Sequence, residues 1–172
     1  DFGREAVKHV SFDVRAGEIF GIAGVAGNGQ EELVQAIAGL REVRGGEIFL
    51  NGANIIHKAP REIGDLGLAY IPEDRLGTAV IPTLSVQDNL ILGLQFRKKF
   101  SEGLMIKPSA IQENARGLIQ EFSIMGAPDA PVKSLSVGNI QRVIVAREFS
   151  KSPLFIVASQ PTAGLDIGAT EF

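Results

Sequence analysis

The stretch from Gly17 to Leu40 constrains this chain more than any other. Gly17-Glu18-Ile19-Phe20-Gly21-Ile22-Ala23-Gly24 reads as a short buried strand that runs into a glycine-rich turn. A helix follows directly, with Leu33, Val34, Ile37, Ala38 and Leu40 on one face and Gly39 placed to help stop it. Strand, turn and helix in this order aim backbone N–H groups and a helix N-terminus at one point, which is the arrangement that holds an anion such as phosphate. The candidate contacts are Gly24, Ala26, Gly27, Asn28 and Gly29 of the turn and Gln30, Glu31 and Glu32 behind it. A loop that binds nucleotide normally continues with Lys, for phosphate charge, and then Ser or Thr, for Mg²⁺. Here Gln30, Glu31 and Glu32 follow, so the cradle is kept while its charges are wrong. A unit charge pair near a protein surface is worth about 4 kcal/mol at contact, so weakened nucleotide binding is expected. Taken alone, the segment reads equally as a tight strand-to-helix turn with two carboxylates set favourably against the helix dipole.

Further along, Gly46-Glu47-Ile48-Phe49-Leu50 leads into Asn51-Gly52, a dipeptide that tolerates positive φ and predicts strand, turn, strand. Gly67-Leu68-Ala69-Tyr70-Ile71-Pro72 is another short strand, closed by a proline that cannot donate to a ladder. From about Pro82 to Arg147 the pattern is helical. Ser85 is placed to cap one helix, and Ser109 with Gln112 three residues on has the form of a capping box for a second. In the latter, Ile111, Ala115, Leu118, Ile119 and Phe122 keep a core-facing stripe. Pro128 and Pro131 break the chain before Leu135-Ser136-Val137-Gly138-Asn139, after which Val143, Ile144 and Ala146 suggest one more helix. Leu154-Phe155-Ile156-Val157-Ala158 is apolar throughout, as a buried parallel strand requires.

Composition removes several classes of function. The chain of 172 residues is long enough for one core and too short for two ordinary domains. It has no cysteine, which excludes disulfides and thiolate metal sites, and His9 and His57 are too sparse for a metal cage; no metal ligands are assigned. With a net charge of -3 and a densest basic run of only Arg97, Lys98 and Lys99, nucleic acid is not an expected partner. No apolar run approaches the roughly 20 residues that span a bilayer, and Asp1-Phe2-Gly3-Arg4 lacks a signal pattern. A membrane, if one matters, is reached through another protein.

Four stretches, in this order, resemble the motifs of the ATP-binding-cassette family. Gly24 to Glu32 resembles the Walker A loop. Ala69-Tyr70-Ile71-Pro72-Glu73-Asp74-Arg75 resembles the Q-loop region, with Glu73 where many members carry Gln. Leu135-Ser136-Val137-Gly138-Asn139 resembles the signature Leu-Ser-Gly-Gly-Gln, and Phe155 to Asp166 resembles Walker B followed by the D-loop, with Asp166 closing it. Ser159 stands where the family has its Mg²⁺-linked aspartate and Gln160 where it has the glutamate that activates water. An amide can orient a water but cannot take its proton, so a general-base factor of roughly 10²–10⁴ is expected to be missing and no intact catalytic residue is assigned.

The joint pattern is similar to the second, C-terminal cassette of tandem subunits that serve simple-sugar and nucleoside importers, and most to the nucleoside type. The resemblance implies an α/β fold, a P-loop NTPase-like cassette with a mostly parallel core sheet, an antiparallel β subdomain and a helical lobe at about residues 84–150. It implies one domain over residues 1–172, truncated before a switch histidine further on. Two such cassettes sandwich ATP, so Ser136 and the backbone around Gly138 would complete the site of a partner cassette, with Val137 in place of a signature glycine and Asn139 in place of its glutamine. ATP and Mg²⁺ would bind weakly or with that partner's help. A transmembrane permease and, indirectly, an extracytoplasmic solute-binding protein would be the other partners, at the cytoplasmic face of the membrane.

Other readings stay open at this level. Ser136 also suits an ordinary helix cap, Asp166 a turn after Gly164, and Glu73-Asp74-Arg75 a solvated charge run. A regulatory cassette that binds no nucleotide, or a soluble cassette ATPase of translation or DNA repair, would share the fold. The latter typically carries long basic insertions, and none is visible.

Overall fold

Asn51 and Gly52 both take positive φ, 48° and 79°, in the computed structural model, which describes residues 6–165. Only a turn with that handedness matches the twist of the strands it joins. β1 (Phe49–Leu50) and β2 (Ala53–Asn54) accordingly pair antiparallel, Phe49 with Asn54 and Leu50 with Ala53, and Ile55 N–H extends the ladder to the Ile48 carbonyl at 2.8 Å. The hairpin belongs to the first of two compact units, Asp1–Leu66 and Gly67–Phe172. The same unit holds α1 (Gln30–Ile37) and α2 (Pro60–Asp65). α1 stops as expected at Gly39, whose φ of 72° lets Leu40 N–H reach the Gln35 carbonyl and Gly39 N–H the Ala36 carbonyl, a Schellman closure. A side chain at Gly39 would also meet Ile63 and the Lys58 carbonyl.

The expected strand at Gly17–Gly24 is not formed. The segment has no ladder partner among the described residues, and Ile19, Phe20 and Ile22 are exposed, Ile19 at 99%. An apolar run specifies burial but cannot supply the neighbouring strand that its backbone needs.

In the second unit, β3 (Leu68–Ile71) and β6 (Phe155–Ala158) form a parallel pair with Leu68 against Phe155 and Ile71 against Ala158. The parallel sheet is thus two strands wide among the described residues, with Pro72 closing β3 as expected. Between these strands lie α3 (Val86–Leu90), α4 (Pro108–Glu121) and α5 (Val137–Phe149). Ser85 caps α3, its Oγ accepting from Asp88 N–H at 3.2 Å. α4 departs from the expected capping box. It begins at Pro108, with Lys107 at the cap, so Ser109 already lies inside the first turn. Proline wins the first helical position because its φ is preset and its missing N–H is not needed there. The stripe of α4 is nonetheless as read, with Ile111, Ala115 and Leu118 buried and Ile119 and Phe122 packed at the core edge.

Val86, Leu90, Ala115, Val132, Val143 and Ile144 are among the fully buried centre of this unit. Ile91, Leu94, Phe100 and Ile111 form a smaller buried cluster, and a second hairpin, β4 (Ser101–Glu102) and β5 (Met105–Ile106), follows Phe100, which the helical pattern of this region did not suggest. Asn89, with no exposed surface, accepts from Ile81 N–H at 2.8 Å and donates to the carbonyls of Ile81, Leu84 and Ser85. The 82–87 and 128–133 stretches are sewn together by backbone bonds, Val86 N–H to Ala130 and Val132 N–H to Leu84 among them. Among the described residues no helix is long and apolar enough to cross a membrane.

Candidate nucleotide-binding and signature sites

The glycine loop of the first unit is built by backbone conformation. Gly27 and Gly29 have φ of 85° and 97°, a region closed to most side chains, and Asn28 N–H closes the turn on the Val25 carbonyl at 3.2 Å. A Cβ at Gly29 would press on the Ala6 carbonyl and the Val7 side chain. Gly29 is the cap of α1, so the N–H groups of Gln30, Glu31 and Glu32 form its first turn, where no intrahelical acceptor exists. Free N–H groups at a helix start behind a glycine turn are the geometry that can hold an anion, and the expected contacts Gly24, Ala26, Gly27, Asn28 and Gly29 lie in or beside that turn.

The side chains do not fit Mg-nucleotide in the same way. Gln30 turns back over the loop and donates from Nε2 to the Val25 carbonyl at 3.3 Å, close enough to Gly24 that any side chain there would collide with it. Glu31 accepts from Gln35 Nε2 at 2.8 Å, and Gln35 in turn accepts from Arg41 Nε at 3.0 Å. An amide and two carboxylates bring no positive charge to a phosphate, and the hydroxyl that would hold Mg²⁺ is replaced by Glu31.

The remaining candidates belong to the second unit. Because β3 and β6 run parallel, the residues that leave both strands emerge at one end of the pair. Glu73 and Asp74 follow β3 and are exposed; Ser159 and Gln160 follow β6, half-buried and exposed respectively. Ser159 N–H donates to the Ile71 carbonyl at 2.9 Å and so continues the ladder. Gln160 has a φ of 45° and opens a turn in which its carbonyl accepts from Ala163 N–H. Asp166 lies outside the described residues.

Ser136 is the cap of α5. Its Oγ accepts from Asn139 N–H at 3.4 Å and from Asn139 Nδ2 at 2.9 Å, while Asn139 Oδ1 accepts from Met125 N–H at 2.7 Å. The capping role and an exposed position at a helix N-terminus thus coexist in Ser136, with Gly138 two residues on, in the first turn, and half-buried. Val137 and Ile140 line a recess of about 230 Å³ together with Glu73, Asp74, Arg75 and Leu76. The structure so brings the stretch after β3 against the start of α5.

Sequence reasoning missed Arg75, which it left in a charge run. Its guanidinium donates to Gln141 Oε1 and to the carbonyls of Ala163 and Pro161. A fork of donors just after a strand that ends in proline is the signal that was available, since such a group pairs readily with loop carbonyls.

Comparison with known proteins agrees with this geometry. The family profile described as ABC transporter matches residues 7–163. The nucleoside import ATP-binding protein NupA of Lactococcus lactis is 41% identical over 171 residues, 99% of this chain and 34% of that protein. The guanosine import ATP-binding protein NupO of Bacillus subtilis is 40% identical over 172 residues, 99% and 34% of the two chains. The glucose import ATP-binding protein TsgD13 of Haloferax volcanii is 40% identical over 174 residues, covering 99% and 32%. The chain spans about a third of the length of these relatives. In fold it is similar to a dimeric ATP-binding cassette in a post-hydrolysis state bound to ADP and Pi, with a TM-score of 0.77 at 24% identity over 96% of this chain and 70% of that one. With the profile matching almost its whole length and relatives at 40% identity or more across it, the chain belongs to the ABC transporter family, as a nucleotide-binding cassette close to the ATP-binding proteins of sugar and nucleoside import.

Proposed function

We propose that this chain is a degenerate cassette, the C-terminal one of a tandem ATP-binding subunit, in an importer for simple sugars or nucleosides. It takes part in ATP-driven closure of a cassette dimer at the cytoplasmic face of the membrane, and a permease, fed by an extracytoplasmic binding protein, turns that closure into transport. Its own hydrolysis is slight. Ser136, Gly138 and the N-terminus of α5 act on the phosphates held by the partner cassette, where a helix dipole and fixed donors stabilise developing negative charge. Glu73 senses the permease side, and the D-loop role falls to Asp166, which lies outside the described residues. The whole of residues 1–172 serves as one cassette, with its helical lobe at about 84–150.

The observation that carries the reading is the side-chain amide of Gln30 folded onto the Val25 carbonyl, inside a loop whose backbone otherwise suits a phosphate. ATP and Mg²⁺ therefore bind here weakly or with the partner's help.

Calorimetric titration of Mg-ATP tests this, first into this chain and then into the same domain joined to an intact partner cassette. Binding only in the joined form is expected. Tight binding with steady hydrolysis by the chain alone would overturn the reading. Absence of binding in both forms would favour a regulatory cassette, to which Glu31 and Glu32 beside the loop are suited.

A further inference from the structure

Three long-range polar contacts of the second unit converge on one guanidinium. Asp74 caps the turn Arg75–Ala79 by accepting from Gly77 N–H at 2.9 Å, which fixes the backbone from which Arg75 projects. From there Arg75 Nε donates to Gln141 Oε1 at 2.5 Å, and Nη2 donates to the Ala163 carbonyl at 2.7 Å and the Pro161 carbonyl at 3.3 Å. Gln141 is buried in the second turn of α5, five residues beyond Ser136. Pro161 and Ala163 belong to the turn that Gln160 opens in the left-handed region, a conformation that a residue with a side chain holds only when its surroundings impose it. Two carbonyls of that turn are bonded to the same planar group that holds the signature helix.

We propose that Arg75 is a positioning residue, a clamp that makes the N-terminal turns of α5 and the Gln160–Ala163 turn move as one piece with the stretch after β3. The inference rests on the donated-signature reading and adds the part that sets where Ser136 and Gly138 are presented. Arg75 itself touches no nucleotide. It acts through Gln141 on the helix and through the Ala163 and Pro161 carbonyls on the turn. Only a guanidinium does this, because its donors leave a rigid plane in several directions at once, whereas an ammonium is a single point at the end of a flexible stem. Charge-assisted bonds of this kind are short and directional, which suits them to hold register.

The test uses the full-length subunit assembled with its partner cassette and permease, with ATP hydrolysis measured against ATP concentration for the parent, Arg75→Ala, Arg75→Lys, Gln141→Leu and the double variant Arg75→Ala with Gln141→Leu. Rates are taken per folded subunit, from melting curves recorded alongside. Arg75→Ala is expected to lower kcat about 10-fold while KM for ATP stays within about 2-fold, the split that marks lost positioning and not lost binding. Arg75→Lys should fail to rescue, and the double variant should be no worse than Arg75→Ala, since both changes cut one connection. Parental kcat in Arg75→Ala, rescue by Arg75→Lys, or full additivity of Arg75→Ala and Gln141→Leu would each overturn the clamp. Ser136→Ala in the same assay judges the donated signature separately: unchanged turnover there sinks that reading, and the Arg75 and Gln141 cycle, read in melting temperature, still decides whether the two act as a pair.

Discussion

Gln30 Nε2 lies 3.3 Å from the Val25 carbonyl oxygen, so this side chain closes on its own loop. An amide can make this bond at no charge cost, whereas an ammonium would be drawn away by any phosphate. Replacing Gln30→Lys together with Glu31→Ser is expected to tighten Mg-ATP binding at least about 10-fold, measured by calorimetry. Unchanged affinity would defeat the electrostatic account of the loop.

Ser136→Ala removes the acceptor for Asn139 N–H at the start of α5. Loss of such a cap costs about 1 kcal/mol of stability. If the helix end also serves a partner cassette, turnover of the assembled transporter should fall far more than this, on the order of 10²-fold. Gly138→Asp, which sets a carboxylate at the same helix end, should do likewise. Turnover at the parental level in both variants would reduce Ser136 to its structural role.

Asn89 offers a test of the fold around α3. It is fully buried, and its amide satisfies the N–H of Ile81 and three backbone carbonyls. Asn89→Ala deprives the Ile81 N–H of its acceptor and empties a buried polar site, while the carbonyls of Ile81, Leu84 and Ser85 keep backbone donors on Leu84, Val132 and residue 89, so a loss of roughly 1–3 kcal/mol is expected from urea unfolding with an unchanged slope. A loss below about 1 kcal/mol would mean that water or a shifted loop replaces the amide.

Lys151 predicts a pH effect of definite sign. Burial holds it below the ordinary lysine value of 10.5, while Glu148, bonded to it at 2.7 Å and also to Arg147, pulls it back up. Between the folded value and 10.5 the unfolded chain binds more protons than the folded one, so stability rises with pH across that window. Below the window the cost of charging a buried amine is carried in full; above 10.5 it is gone. The parent should therefore gain stability relative to Lys151→Gln as pH is raised through the alkaline range toward 10.5, read from denaturant midpoints. A flat or falling difference would show that pairing with Glu148 outweighs burial.

Much of this protein could be read before its structure because the signals are local. Positive φ at Asn51-Gly52 makes the hairpin, Ser85 and Ser136 cap the helices that follow them, Gly39 closes α1, and Leu68–Ile71 and Phe155–Ala158 are strands. The hairpin and the caps depend on a residue's own backbone preference or on near neighbours, which the order of residues contains, whereas the two strands were legible only as apolar runs that found each other in the fold. The turn through Gly27 and Gly29 was legible for the same reason as the caps. Other features required the tertiary structure. Gly17–Gly24 has the composition of a strand but no ladder, since a strand exists only where another backbone completes its hydrogen bonds. The register of β3 on β6, the four bonds of Asn89 and the reach of Arg75 to Gln141 and Ala163 join residues up to 88 positions apart. Nothing local ranks those partners. They are chosen when burial removes water and leaves each polar group to find the nearest one.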